Sequence, residues 1–582
     1  MWIPLILTAA AASAATDWTT PAEASAYTET PRYAQTRAYF ERLDAASSQL
    51  STFDFGTSAQ GRPMQAVVLA AGGELSPEAA RASGKPVILI QAAIHPGEHE
   101  GKDVLMALAR DLTVSGKYSE LLEPVVLVLV PVLNVDGHER FSPFNRINQN
   151  GPEAMGWRAT AQNLNLNRDY TKADAPEMQA WLRLWQRWQP DLLIDMHNTN
   201  GADYQYAMTW AFETERNIAP ALAAWQREVF DGAVKPALAA QGWPLTYYIS
   251  LKDGTDLRAG LVEGASAPRF SIGYAAAAGR PGLLLETHML KDFKTRAAVN
   301  EALLLELLRS IGRDPAALKA AVAAADAERF TVGSTIPLDF GLTEATVEED
   351  FLGYAYTRTQ SDVSGGIWVQ YDINQPETYR LPVQREVIVA AEAPAPAAYV
   401  VPPQWTAVIE RLQLHAVQMQ RLPAAQVIDA ERYRFSEVVW AARPFEGRHM
   451  ISALKQVAES GPAEVAAGSW LIPMDQPRAR LVALLLEPAS PDSLLRWGFF
   501  DAIFEEKEYA EARVMEAMAR EMLASDPALK AEFDARLQDE AFAGSPRARL
   551  RFFYERSPYF DAEFSRYPVL RLGQAALQQL AQ

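Results

Sequence analysis

His95 and Glu98 stand three residues apart, and a further histidine, His197, lies far downstream. The first pair follows the apolar run that begins at Ile88, and His197 follows a second such run, Leu192–Met196. Two imidazoles and one carboxylate are the three protein ligands of a catalytic zinc that keeps its fourth position for water. The chemistry these side chains predict is metal-assisted hydrolysis with one zinc ion per chain. The stretch His95-Pro-Gly-Glu98-His99 also satisfies a second pattern, His-x-x-Glu-His, in which both histidines share a helix. Pro96 and Gly97 disfavour a helix there, because proline interrupts helices and glycine weakens them. The expected arrangement is therefore His95 at a strand end, a turn, and Glu98 at a helix start. His99 is then left exposed or outside the immediate ligand set.

These residues need elements that bring them together. Pro86–Ile94, Val125–Leu133, Leu192–Met196 and Gly282–Glu286 are short, largely apolar runs. Runs of that length fit strands buried on both faces of a mostly parallel sheet. Between them lie helical stripes: Val104, Leu105, Leu108 and Leu112, then Met178, Trp181, Leu182, Trp185 and Trp188. Ala302–Ile311 reads as a closing helix. The fold class is α/β, a mixed and mostly parallel sheet with helices on both faces. The candidate ligands leave the ends of predicted parallel strands, where open α/β sheets gather their ligands.

Several segments, in order, resemble the zinc carboxypeptidases of the carboxypeptidase A type. They are Phe55-Gly-Thr-Ser-Ala-Gln-Gly-Arg-Pro63, His95-Pro-Gly-Glu98, Asn134-Val-Asp-Gly137, Trp157-Arg158, Asn167-Arg168, Asp195-Met-His197 and Leu283-Leu-Leu-Glu286. The resemblance runs from about residue 27 to 313. It implies that Glu286 takes a proton from the attacking water and hands it to the leaving amine. It also implies that Arg158 stabilises the oxyanion and that Asn167 and Arg168 hold a peptide's terminal carboxylate. Tyr274 is the candidate for a mobile tyrosine over the substrate, on an Ala-rich loop, Ala275–Gly279, with Tyr247 and Tyr248 as rivals. Where the family often has an aspartate, this chain has Asn165, which can still orient a ligand histidine. Asp169 is expected to add negative charge near the carboxylate pocket and so to disfavour acidic terminal residues. His288, two residues after Glu286, faces the same side if its strand continues.

The resemblance implies a peptide partner with a free C-terminal carboxylate. A deacylase of N-acyl amino acids on the same fold, and a non-catalytic binding protein on an inactive scaffold, remain alternatives. The net charge of −18 over 582 residues argues against nucleic acid and anionic membrane surfaces. The absence of cysteine excludes disulfides and thiolate metal sites. Residues 1–15 read as an export signal, with an apolar run and a small-residue Ala12-Ser13-Ala14 site, although no Lys or Arg precedes the run. This places the protein in the periplasm or outside the cell. No other apolar stretch approaches the length of a membrane span. The catalytic unit is read as residues 16–313, followed by a β-rich unit at 328–391 and a mixed α/β to helical region at 404–582. Glu392–Pro403, with Pro394, Pro396, Pro402 and Pro403, reads as a stiff linker or a crossing loop. Pro491–Gln538 reads as helical.

Overall fold

The computed structural model describes residues 17–199 and 201–580; the export signal expected over residues 1–15 lies outside them. In the N-terminal half, eight strands form one sheet: β1 (Leu50–Thr57), β2 (Pro63–Leu69), β3 (Val87–Ala92), β4 (Val126–Val130), β5 (Leu192–Thr199), β6 (Met208–Ala211), β7 (Thr246–Tyr247) and β8 (Gly282–His288). Their spatial order is β1-β2-β4-β3-β5-β8-β6-β7. The central strands β4, β3, β5 and β8 run parallel, and antiparallel pairs flank them. Every residue of those four strands is buried, which is why they read as largely apolar runs rather than alternating ones. Leu89, Val128 and Leu193 face one layer with helix Pro176–Trp188. Ile88, Ile90, Leu127 and Ile194 face the other, with helices Glu100–Leu112 and Phe293–Arg313.

Helix Glu100–Leu112 lies close on the sheet because Gly101 has no side chain. A Cβ there would stand 2.7 Å from Ala92 Cβ and 2.8 Å from Met196 Cβ. This close approach brings the loop after β3 over β5, and so carries Glu98 to His197.

The second half begins with antiparallel strands, as its Thr, Val and Tyr content predicts: Thr335–Leu342, Thr346–Gln360, Ile367–Gln384 and Val387–Pro394. The linker expected at Glu392–Pro403 is corrected. Ala398–Val401 is a buried strand inside a six-stranded sheet, and the prolines sit at strand ends. Burial of Tyr399, Val400 and Val401 outweighs the local proline signal. The helix expected throughout Pro491–Gln538 is confined to Ala512–Ser525 and Pro527–Arg536, preceded by a short 3-10 turn at Asp501–Phe504. Buried Leu494, Leu495, Trp497 and Phe500 belong to irregular chain before it. Among the described residues no helix is long and apolar enough to cross a membrane.

The halves share structure near one end of the catalytic sheet. Val383 and Gln384 pair in parallel with Leu261 and Val262, and Glu263 N donates to Gln384 O at 2.9 Å.

Candidate metal and peptide site

His95 lies three residues beyond β3, in a turn closed by Glu98 N donating to His95 O at 2.8 Å. Glu98 ends that turn two residues before the helix at Glu100. Gly97 is required here, since a Cβ would stand 2.4 Å from Arg146 Cδ and 3.1 Å from Gly156 O. His197 sits within β5, and Glu286 on β8 is its direct partner in the parallel register.

The ligand atoms of His95, Glu98 and His197 all lie within 4.8 Å of one another, and all three residues are buried. His95 Nδ1 is 3.3 Å from Glu98 Oε1, and His197 Nδ1 is 2.9 Å from Glu98 Oε2. The opposite ring nitrogens are held from behind. Asn165 Oδ1 lies 2.9 Å from His95 Nε2, and Asp195 Oδ2 lies 2.7 Å from His197 Nε2. Acceptors at both Nε2 atoms hold a proton there, so that in the neutral ring Nδ1 is the nitrogen left to face a metal ion. His95 Nδ1 is buried without a hydrogen-bond partner. That orphaned acceptor, in a His2Glu set, fits a divalent ion such as zinc.

The charges agree with this arrangement. Burial pushes His95 down to about 4, so its ring is neutral, as a ligand must be. Burial opposes ionisation of Glu98, but His95, Arg146 and His197 together hold its carboxyl well below the usual range. Burial also acts to lower His197, yet Asp195, Glu98 and Glu286 hold it well above an ordinary histidine. The proton His197 carries toward Glu98 is the one a metal ion would displace. Burial raises Glu286 to about 8; the charges of Glu98 and Asp195 add to this, while His197 and Arg146 oppose it.

A cleft of about 890 Å³ opens over these groups, lined by Arg158, Asn167, Arg168 and Glu286 as well as the three candidate ligands. Arg158 Nη1 lies 3.2 Å from Glu98 Oε1, with its side chain nearly half exposed. Asn167 is buried, with Oδ1 accepting from Ser271 N at 3.3 Å. Arg168 lies over the Phe270 ring at 4.3 Å and has no ion-pair partner among the described residues. The structure thus brings together every expected site residue except one.

That one is Tyr274. Helix Ser271–Ala277 turns it away from the cleft, and Ala275–Ala277, expected as a flexible loop, continues this helix. Its ring packs on Tyr170, Trp181 and Trp185, and its hydroxyl donates to His415 Nδ1 at 3.1 Å. Tyr248 lines the cleft in its place. The charge of Glu286 raises the Tyr248 phenol, and burial adds to the effect. Tyr247 also borders the cleft, but its hydroxyl is committed to Phe212 O at 2.8 Å. His99 is not exposed: it is fully buried, with Nδ1 on Asp103 Oδ2 at 2.8 Å. Asp169 adds no charge to the pocket, because it is buried against Lys172 and accepts from Ala175 N at 2.8 Å. His288 ends β8 buried against Tyr204, away from the cleft lining.

Arg146 was absent from the sequence reading, Asp195 entered it only within the Asp195-Met-His197 motif, and Tyr248 only as a rival to Tyr274. Asp195 had a legible signal, an acid two residues before His197 on a buried strand and hence on the same face. Arg146, with Nη1 2.8 Å from Glu98 Oε1, comes from an irregular loop that carries no such pattern. Tyr248 was one of three tyrosines that loop logic could not separate.

Residues 36–228 match the model of the zinc carboxypeptidase family. This span covers the three candidate ligands, Arg158, Asn167 and Arg168, and ends before Tyr248 and Glu286. A probable carboxypeptidase 2 of Trichophyton verrucosum is 23% identical over 434 residues, covering 70% of this chain and 75% of that protein. Carboxypeptidase 2 of Trichophyton equinum is 22% identical over 445 residues, covering 72% and 74%. Among solved structures, a metallo-carboxypeptidase from Burkholderia cenocepacia matches with a TM-score of 0.37 and 19% identity, over 49% of this chain and 71% of that one. Over residues 36–228 the chain is therefore similar to the zinc carboxypeptidase family, and the relatives it resembles bear the name carboxypeptidase.

Proposed function

We propose that this protein is a zinc-dependent carboxypeptidase that removes the C-terminal residue of peptides, with His95, Glu98 and His197 holding the ion. The observation that carries this reading is the juxtaposition, in one cleft, of the unpartnered His95 Nδ1, Glu286 opposite His197, and an Arg168 free of any acidic partner among the described residues. Bound there, zinc supplies a Lewis acid and lowers the pKa of a water at the open position from about 15.7 to about 7. Arg168 and Asn167 take the substrate's terminal carboxylate, the guanidinium as a two-pronged donor. Arg158, half-exposed at the cleft edge, meets the negative charge that grows on the scissile carbonyl oxygen. Glu286, whose ionised carboxylate the charge of a bound divalent ion would favour against the burial that raises it, accepts the water's proton and returns it to the leaving amine. Tyr248 takes the covering role first given to Tyr274.

Ala211, Ile272 and Leu284 form an apolar cluster with Tyr247 and Tyr248 at the cleft wall, which favours an apolar terminal side chain. The sequence of residues 1–15 supports action outside the cytoplasm.

Metal analysis of the wild type and His197→Ala, paired with a peptide library varied at the last residue, tests this reading. His197→Ala is expected to lose zinc. Glu286→Gln is expected to keep zinc while kcat falls by about 10²- to 10⁴-fold, since the amide cannot take the proton. A His197→Ala protein that retains zinc would end the proposal. A comparison of a blocked dipeptide with an N-acyl amino acid separates the peptidase from a deacylase.

A further inference from the structure

The C-terminal half reaches the candidate metal site through one side chain. Strands Gln426–Trp440 and Ile451–Val465 form a long antiparallel hairpin whose connecting segment extends to the catalytic half. In that segment Phe445 and Arg448 form an isolated bridge, closed by Phe445 N donating to Arg448 O at 2.8 Å. Glu446 lies between them with φ +50, a left-handed conformation that a non-glycine residue adopts only when its surroundings impose it.

The surroundings do impose it. Arg448 forks onto Asp174, Nε to Oδ2 at 2.7 Å and Nη2 to Oδ1 at 2.8 Å. The Phe445 ring stacks with Trp497 at 6.0 Å. Gly447, with φ +79, lies so close to Leu164 that a Cβ would stand 3.2 Å from its Cδ2. Held at these points, Glu446 accepts from Asn165 N at 2.7 Å. Asn165 is the cap of the 3-10 turn Leu166–Arg168, and its Oδ1 accepts from Asn167 N at 3.0 Å while meeting His95 Nε2 at 2.9 Å. One residue therefore fixes both the tautomer of His95 and the start of the turn that carries Asn167 and Arg168.

We propose that Glu446 is a positioning residue of the catalytic site, supplied by the C-terminal half, which sets the Asn165 amide against His95 by binding the Asn165 backbone N–H. The proposal rests on the reading of His95, Glu98 and His197 as zinc ligands. It gives residues 426–465 a function that the catalytic half's own motifs do not contain. The charge of Glu446 also acts on Arg168, offsetting part of the cost of burying that guanidinium.

The test uses the full-length zinc enzyme. The zinc dissociation constant is measured by chelator competition, beside the melting temperature and the separate kcat and KM. Partners behind a ligand histidine typically account for about 10- to 100-fold in metal affinity, and Glu446 acts one bond farther out, so Glu446→Met should weaken zinc about three- to tenfold. Glu446→Gln keeps an acceptor oxygen at the same reach and should restore zinc affinity to within about twofold of wild type. A Glu446→Met protein that melts normally and binds zinc as the wild type does overturns the proposal. So does a Glu446→Gln protein as impaired in zinc binding as Glu446→Met. If Glu446→Met yields no folded protein, Arg448→Lys, which loosens the fork on Asp174 while keeping its charge, decides by the same measurement: weaker zinc binding supports the proposal, and unchanged binding overturns it. His197→Ala is measured in parallel. Loss of zinc there with none in the Glu446 variants rejects this inference alone, whereas retention of zinc in His197→Ala rejects the metal site itself.

Discussion

Replacing Arg168 by methionine removes a cleft cation that, among the described residues, has neither an ion-pair partner nor a contact with Glu98. Hydrogen bonds to charged groups contribute about 1.5–3 kcal/mol. Two unit charges 4 Å apart near a protein surface attract by about 4 kcal/mol. Arg168 is partly buried over Phe270, so its attraction for a carboxylate is screened less than at an open surface. A loss of about 2–4 kcal/mol follows, which is about 30- to 900-fold in kcat/KM. Most of it should appear in KM, because Arg168 meets the terminal carboxylate in ground and transition states alike. The assay compares one peptide as free acid and as C-terminal amide, each with wild type and Arg168→Met. The free acid should show the full loss, and the amide a change of less than about threefold, because the interaction is already missing. An equal loss on both substrates would refute the assignment of Arg168 to the carboxylate. So would a loss below about threefold on the free acid.

Asp195→Asn should weaken zinc binding about 10- to 100-fold, measured by chelator competition, because the acceptor behind His197 Nε2 loses its charge. Ala211→Leu should fill the apolar wall and shift the preference from large toward small terminal residues, by about 1–3 kcal/mol per added methylene as read from relative kcat/KM. His415 is buried, its Nε2 donating to Thr171 O at 2.9 Å, and burial lowers it to about 4 from an ordinary 6.5. A depressed histidine leaves stability intact above pH 6.5 and lowers it as pH falls toward 4, by about 3 kcal/mol in all. Urea unfolding of the wild type and His415→Gln across that range should differ in pH dependence by about this amount, and parallel curves would contradict it.

The catalytic sheet was legible because its central strands are buried on both faces. Such strands need no partner information to be recognised, since every position must be apolar unless it has a special role. Polar side chains in those strands stand out for that reason, and two of them, His197 and Glu286, were candidates. The second half was read less well. Ala398–Val401 is four residues among prolines, and only its place within a six-stranded sheet makes it a strand. Tyr274 was misplaced because no local pattern says which way a short helix turns its side chains once it packs against Trp181 and Trp185.

Composition and spacing alone determined the ligand types and the α/β class, since each follows from side-chain chemistry or from a periodicity within a few residues, whereas the role expected of Arg168 came from the resemblance of the Asn167-Arg168 pair to the zinc carboxypeptidases. Tertiary structure decided which tyrosine faces the cleft, that Arg146 joins Glu98, and that Glu446 touches Asn165 across 281 positions of chain. These are contacts between segments that no short-range pattern links, and strand order and packing set them rather than the preferences of the residues themselves.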